Sequence, residues 1–189
     1  MKNEELGMRN EPGNTDNIQS SFSIPEYPGV RPEDFGTLVH AVLEARLKEQ
    51  TCIVPQKIRS RIVNEKTLQA LLGSAQVMAD GFLTSGLGKR LTAAIRRESE
   101  FPIITSITIE GKPIAVTGQI DLLFEEENEV VVVDFKTDKT ENPEDYYGQL
   151  AVYNQAAADI FGKPVSVWLY YLRSGRAVNV SGELNSVLP

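Results

Sequence analysis

Three residues in the second half of this 189-residue chain have types and spacing suited to holding a hard cation. Asp121 lies in GQIDLLF, and Asp134 and Lys136 lie in VVVVDFKTD, with the turn-like EEEN between the two runs. A short symmetric turn centred on Glu127–Asn128 makes Glu126 face Glu129, and counting back places Asp121 opposite Asp134. In such a pair the β-carbons are only about 5 Å apart, and like charges there destabilise a sheet. A compensating cation is needed. Lys136 is two residues beyond Asp134 and projects from the same face of its strand. Two carboxylates and a lysine converging at one end of a hairpin suit a divalent ion with oxygen ligands. They equally suit a structural Asp–Lys–Asp ion network, and spacing accommodates both.

The elements that must position these groups can be read from periodicity. FPIITSITI, PIAVTGQIDLLF and EVVVVDFKT are rich in Ile, Val and Thr and are separated by EGK and EEEN, which gives three strands. The VVVV run reads as a strand buried on both faces, hence central. A helix follows, with Asn142 as N-cap, Pro143 at its first position, Glu144 and Asp145 in the first turn and Gly162 past its end. PVSVWLYYL is the last strand. Before the strands, Phe35, Leu38, Val39, Val42 and Leu43 make one helical apolar stripe. Further helices are expected around Gln56–Leu72 and Ser74–Arg97. The fold class is therefore α/β (α+β): a helical N-terminal part, then a β-β-β-α-β mixed sheet. Residues 1–30 lack any period and read as a leader or linker, leaving one domain over 31–189.

Composition narrows the classes further. No apolar run approaches the roughly 18 residues a membrane span needs, and no secretory core is present, so the expected compartment is cytoplasmic. A single cysteine, Cys52, excludes a disulfide framework and a four-cysteine iron–sulfur cluster, and it reads as inert. Net charge is −7, which by itself argues against a polyanionic partner. The charge is uneven, however. Residues 36–97 are strongly basic and residues 98–142 strongly acidic. That split suits a polyanion held by one part and cut in the other, and it suits two solvated surfaces as well.

GQID and VVVDFKTD, followed by YYGQLAVYNQAA and preceded by FGTLVHAVLEA, resemble the RecB/AddA-type nuclease domain of the PD-(D/E)XK superfamily. The likeness runs from about Phe35 to about Leu172, with four separated motifs in the family order. It implies a restriction-endonuclease-like core and a metal-dependent deoxyribonuclease, more an exonuclease than an endonuclease, working in recombination and DNA repair. It implies Mg²⁺ or Mn²⁺ as cofactor and DNA as partner; a further implied partner is a helicase domain or subunit. No GxxxxGK[ST] is present, so the chain resembles a nuclease module or a small stand-alone relative.

Residue by residue, the resemblance makes Asp121 the first metal-binding aspartate, and Asp134 and Lys136 the acid and lysine of the (D/E)XK element. The Phe135 carbonyl completes the metal shell, and His40 in G-x-x-x-H adds a ligand. Gln149 and Tyr153 form the Q-x-x-x-Y helix motif associated with holding DNA. Glu98 in RESEF matches a glutamate bordering the site. Read without the family, His40 lies off the apolar stripe and is an ordinary solvent-facing histidine. Gln149, Tyr153 and Tyr146 then share one helix flank, and Glu98 is a solvated helix-end residue. Lys89, Arg90, Arg96 and Arg97 suit phosphate binding or a solvated helix face. Lys136 would orient or deprotonate an attacking water, or neutralise the phosphate. The alternatives to a nuclease are a catalytically silent nucleic-acid-binding or docking module of a repair complex, and a metal-dependent hydrolase with another substrate.

Overall fold

The computed structural model describes residues 29–187 apart from Glu110. Of the expected leader, residues 1–28 therefore lie outside the described part. The chain runs through four helices, α1 (Pro32–Leu47), α2 (Gln56–Arg61), α3 (Glu65–Thr84) and α4 (Gly86–Ala93). Strands β1 (Arg96–Ile109), β2 (Lys112–Glu125) and β3 (Val130–Lys136) follow. A 3₁₀ turn at Pro143–Tyr146 leads into α5 (Tyr147–Phe161), then β4 (Val165–Tyr171), β5 (Arg176–Asn179) and α6 (Ser181–Leu184). The sheet order is β1-β2-β3-β4-β5, with β3 and β4 parallel and the other pairs antiparallel. The α+β class and the central β3 are as the sequence indicated.

Several boundaries differ, each for a local reason. The expected helix at Gln56–Leu72 is broken at Ile62–Asn64, where the Asn64 side chain accepts from Thr67 N and starts α3. That helix then runs straight through Gly73 and Gly81 to Thr84. Ser85 ends it and caps α4 by accepting from Gly88 N. Arg96 and Arg97 belong to β1, not to a helix, and pair with Glu98 and Glu49. Asn142 makes no cap bond; its side chain donates to Asp145 instead, and the first turn is 3₁₀. Gly162 does end α5, in the left-handed conformation at φ 62°. The strand β5 was not foreseen. It is short and mostly exposed, so its residues carry little apolar signal.

Because β3 is covered on both sides, its alternate residues feed two cores. Val131, Val133 and Phe135 pack with α1, α3 and α4, against Leu38, Val39, Leu71 and Phe82. Val130 and Val132 pack with α5, against Leu150, Ala156 and Ala157. Asp134 and Lys136 follow the second phase, so they point toward α5 from the C-terminal end of the central strand. The β2–β3 turn is pinned from outside. Arg90 donates to both carboxylate oxygens of Glu126 at 2.9 Å and to Glu129 at 2.8 Å, and lies over the rings of Phe124 and Trp168. Lys163 bonds Glu125 and the Glu126 and Glu127 carbonyls. Arg90 is thus a structural clamp on the hairpin. It holds Glu126 below the usual carboxylate range by hydrogen bonding and charge.

Candidate metal and nuclease site

The turn forms as the symmetry argument requires. Glu126 N donates to Glu129 O, and the ladder runs from Glu125↔Val130 to Leu122↔Val133. The next pair in that register is Asp121 and Asp134, and there β2 lets go. The Asp121 carboxylate takes over as acceptor, receiving the Phe135 N–H at Oδ2 at 2.8 Å. On its other side the β1–β2 ladder passes from Ser99↔Leu122 to Phe101↔Ile120, skipping Glu100 and Asp121. Glu100 has φ 55°, a left-handed conformation that a glutamate adopts only under local constraint. The alternation slips at this point too, since Ile120 and Leu123 both pack on the α5 side. A distortion of this kind re-aims side chains out of a regular sheet.

The slip gathers ligands. One nitrogen of His40 and one carboxylate oxygen each of Glu100 and Asp121 lie within 4.8 Å of one another. His40 Nδ1 is 3.6 Å from Asp121 Oδ1, and its ring meets Phe135 edge-on with centroids 6.4 Å apart. Gly36, one turn before His40, lets α1 come close to the end of β3: a Cβ there would lie 3.0 Å from Thr137 Oγ1. Asp134 is not in the three-ligand set. It is 2% exposed, with Oδ2 2.6 Å from Lys136 Nζ, yet no well-directed hydrogen bond reaches that oxygen. A buried carboxylate answered by a single lysine, with a second aspartate beside it, keeps lone pairs available to a cation. The donor set, one imidazole nitrogen with hard oxygens, fits Mg²⁺ or Mn²⁺.

Electrostatics agree with that fit. Burial and the neighbouring Asp134 charge push the Asp121 carboxyl up to about 7, against the opposing Phe135 N–H and Lys136. Burial raises Asp134 as well, with Lys136 working against it. Burial and Asp121 raise Glu100. Burial lowers His40, which keeps the imidazole neutral and able to ligate. Three acids crowded out of water therefore lack a positive charge that Lys136 alone does not supply.

The other expected residues are placed differently. Glu98 is paired with Arg96 at 3.1 Å; Glu100, two residues on, occupies the position facing Asp121. Sequence reasoning missed Glu100, although a signal existed. Ile109 pairs with Lys112 across the turn, and counting back from there sets Glu100 opposite Asp121. Tyr153 points inward, and Gln149 lies at the exposed edge of the same helix flank. Gln149 Nε2 donates to Tyr153 Oη at 2.7 Å and approaches Asp134 Oδ1 at 3.4 Å, while Tyr153 Oη donates to the Gln119 carbonyl at 2.7 Å. Tyr153 is 6% exposed, and its hydroxyl bonds the sheet next to Asp121.

Known proteins bear on this arrangement. The family model described as the PD-(D/E)XK nuclease superfamily matches residues 17–186. A relative from Anoxybacillus flavithermus, named for its place in an ATP-dependent helicase/nuclease, is 31% identical over 157 residues, covering 76% of this chain and 13% of the relative. A protein of the same name from Bacillus mycoides is 32% identical over 191 residues, covering 86% of this chain and 15% of the relative. The chain thus spans only a small fraction of the curated relatives it matches. A crystal structure from Eubacterium rectale, provisionally named an exonuclease, superposes with a TM-score of 0.51 at 13% identity, covering 86% of this chain and 64% of that one. At that identity the likeness concerns the fold alone. Among the described residues no helix is long and apolar enough to cross a membrane.

Proposed function

The chain belongs to the PD-(D/E)XK nuclease superfamily, and on that footing we propose that it hydrolyses phosphodiester bonds of DNA with Mg²⁺ or Mn²⁺. The observation that carries this reading is the buried Asp134 carboxylate, paired with Lys136 at the strand end where His40, Glu100 and Asp121 converge. His40, Asp121, Asp134 and the Phe135 carbonyl would hold the ion, with Glu100 taking the bordering role expected of Glu98. A bound divalent ion supplies Lewis acidity, polarising a phosphate and lowering the pKa of a coordinated water.

The chain's own residues do the rest. The Phe135 N–H fixes one oxygen of Asp121 and leaves the other turned to His40. Gln149 braces Asp134 from α5 and is itself held by Tyr153, and Gln149 is also placed to meet a strand. Lys136 brings a positive charge to where negative charge develops on the phosphate, or orients the attacking water through an N–H not engaged by Asp134. The reading carries the finer expectations with it: exonucleolytic action, a place in recombination and repair beside a helicase, and a cytoplasmic location. Its test is a gel assay of linear single- and double-stranded DNA with Mg²⁺, with Mn²⁺ and with chelator. Metal-dependent shortening from the ends supports the reading. Intact DNA despite bound metal would favour the silent docking module instead.

A further inference from the structure

Lys136 carries its charge on a stem of four rotatable bonds, and its ammonium lies 2.6 Å from Asp134 Oδ2. A single ion pair does not by itself fix the direction of the head. The face of the Tyr146 ring does so, with Lys136 Nζ 4.1 Å from its centroid. The ring is anchored twice. Its backbone ends the 3₁₀ turn before α5, and its hydroxyl donates to Asp138 Oδ2 at 2.7 Å, in the loop that follows β3. An aromatic face attracts an ammonium without a full negative charge of its own. That matters here, because another carboxylate would add to the repulsion already carried by Glu100, Asp121 and Asp134, and would occupy the lysine's donors. The ring attracts the ammonium without a carboxylate's oxygen acceptors.

We propose that Tyr146 is a positioning residue of this site: its ring face, braced by Asp138, fixes the Lys136 ammonium beside Asp134 with donors to spare for a phosphate or a water. The effect on rate rests on the nuclease reading; the contact itself does not. Two readouts therefore separate the two. The first is the proton resonance of the Lys136 ε-methylene in the metal-free full chain, assigned by its loss in Lys136→Ala. A ring at this distance moves it upfield. Tyr146→Phe and Asp138→Ala, which remove the same hydroxyl–carboxylate bond, each reduce the upfield shift to a similar extent, and Tyr146→Leu abolishes it. The second readout is steady-state cleavage: Tyr146→Leu lowers kcat about tenfold with KM little changed, while Tyr146→Phe keeps most of the wild-type kcat.

A melting curve for each variant checks that the fold persists. An ordinary Lys136 resonance in the wild type overturns the proposal, whatever the enzyme does. So does an equal loss of kcat in the Phe and Leu variants, or a change confined to KM. An upfield Lys136 resonance in a wild type that cleaves no DNA supports the contact and refutes the nuclease reading.

Discussion

Two buried aspartates with opposite surroundings explain how this molecule separates stability from function. Asp34 is 3% exposed and Asp134 is 2% exposed. Around Asp34 every charge is answered: Arg31 donates to both oxygens at 2.9 and 3.0 Å, and Arg61 adds a bond at 2.7 Å. That cluster ties α2 to the start of α1. Asp134 has one lysine at 2.6 Å and a glutamine amide at 3.4 Å, with the Asp121 carboxylate nearby and Glu100 beside Asp121 in turn. A buried acid held by paired arginines is a structural device. A buried acid left short of donors, in a cluster of like charge, strains the fold and is retained where a cation resolves it.

The largest expected effect falls on the lysine of the second cluster. Lys136→Ala lowers DNA cleavage by about 10² or more, since it removes charge where the transition state needs it, and it lowers the metal-free Tm as well, because the buried Asp134 carboxylate loses its ion-pair partner. Wild-type activity in that variant would remove Lys136 from the mechanism.

Next come the acids themselves. Asp34→Asn leaves Arg61 without its charged partner and Arg31 with only Glu33, and destabilises the protein by about 1–3 kcal/mol, tempered because both arginines are partly solvated. Thermal denaturation reads this as a lower Tm. Asp134→Asn costs less in the metal-free protein, because removing a charge that is expensive to bury offsets the loss of Lys136's partner. Equal losses in the two variants would erase the contrast.

A smaller effect concerns pH. Asp121 has an unfolded value near 3.8 and a folded one near 7, so between these the folded state holds a proton that the unfolded state has lost. Metal-free stability therefore falls as pH rises from about 4 to about 7 and flattens above. Asp121→Asn keeps an acceptor for the Phe135 N–H and removes most of that slope. A slope of wild-type size in the variant would assign the titration elsewhere. The smallest effect is expected from truncating Met1–Gly29, which should leave Tm nearly unchanged if the domain starts near residue 31. A large drop would move that boundary toward the chain start.

Much of the second region was legible in the sequence, and the reasons are physical. The β2–β3 register followed from turn symmetry and charge, and the Val130–Val133 run could only be a strand covered on both faces. His40 and Asp121 came together because α1 packs directly behind β3. What escaped was the slip at Glu100 and Asp121. Period-two reasoning assumes a regular strand, and nothing in RESEF announces a left-handed glutamate. The inward turn of Tyr153 escaped for a related reason: helical spacing fixes a shared face but not what that face meets. The Asp34 cluster was equally invisible, since Arg61 is 27 residues away along the chain and reaches it only through the packing of α2 on α1.

The most direct test of the central claim is a calorimetric titration of Mn²⁺ into the wild type, Asp34→Asn and Asp134→Asn. One set of sites with similar affinity in the wild type and Asp34→Asn, and strongly weakened binding in Asp134→Asn, is the expected result. Unchanged affinity in Asp134→Asn would contradict it and leave the second cluster a structural ion network.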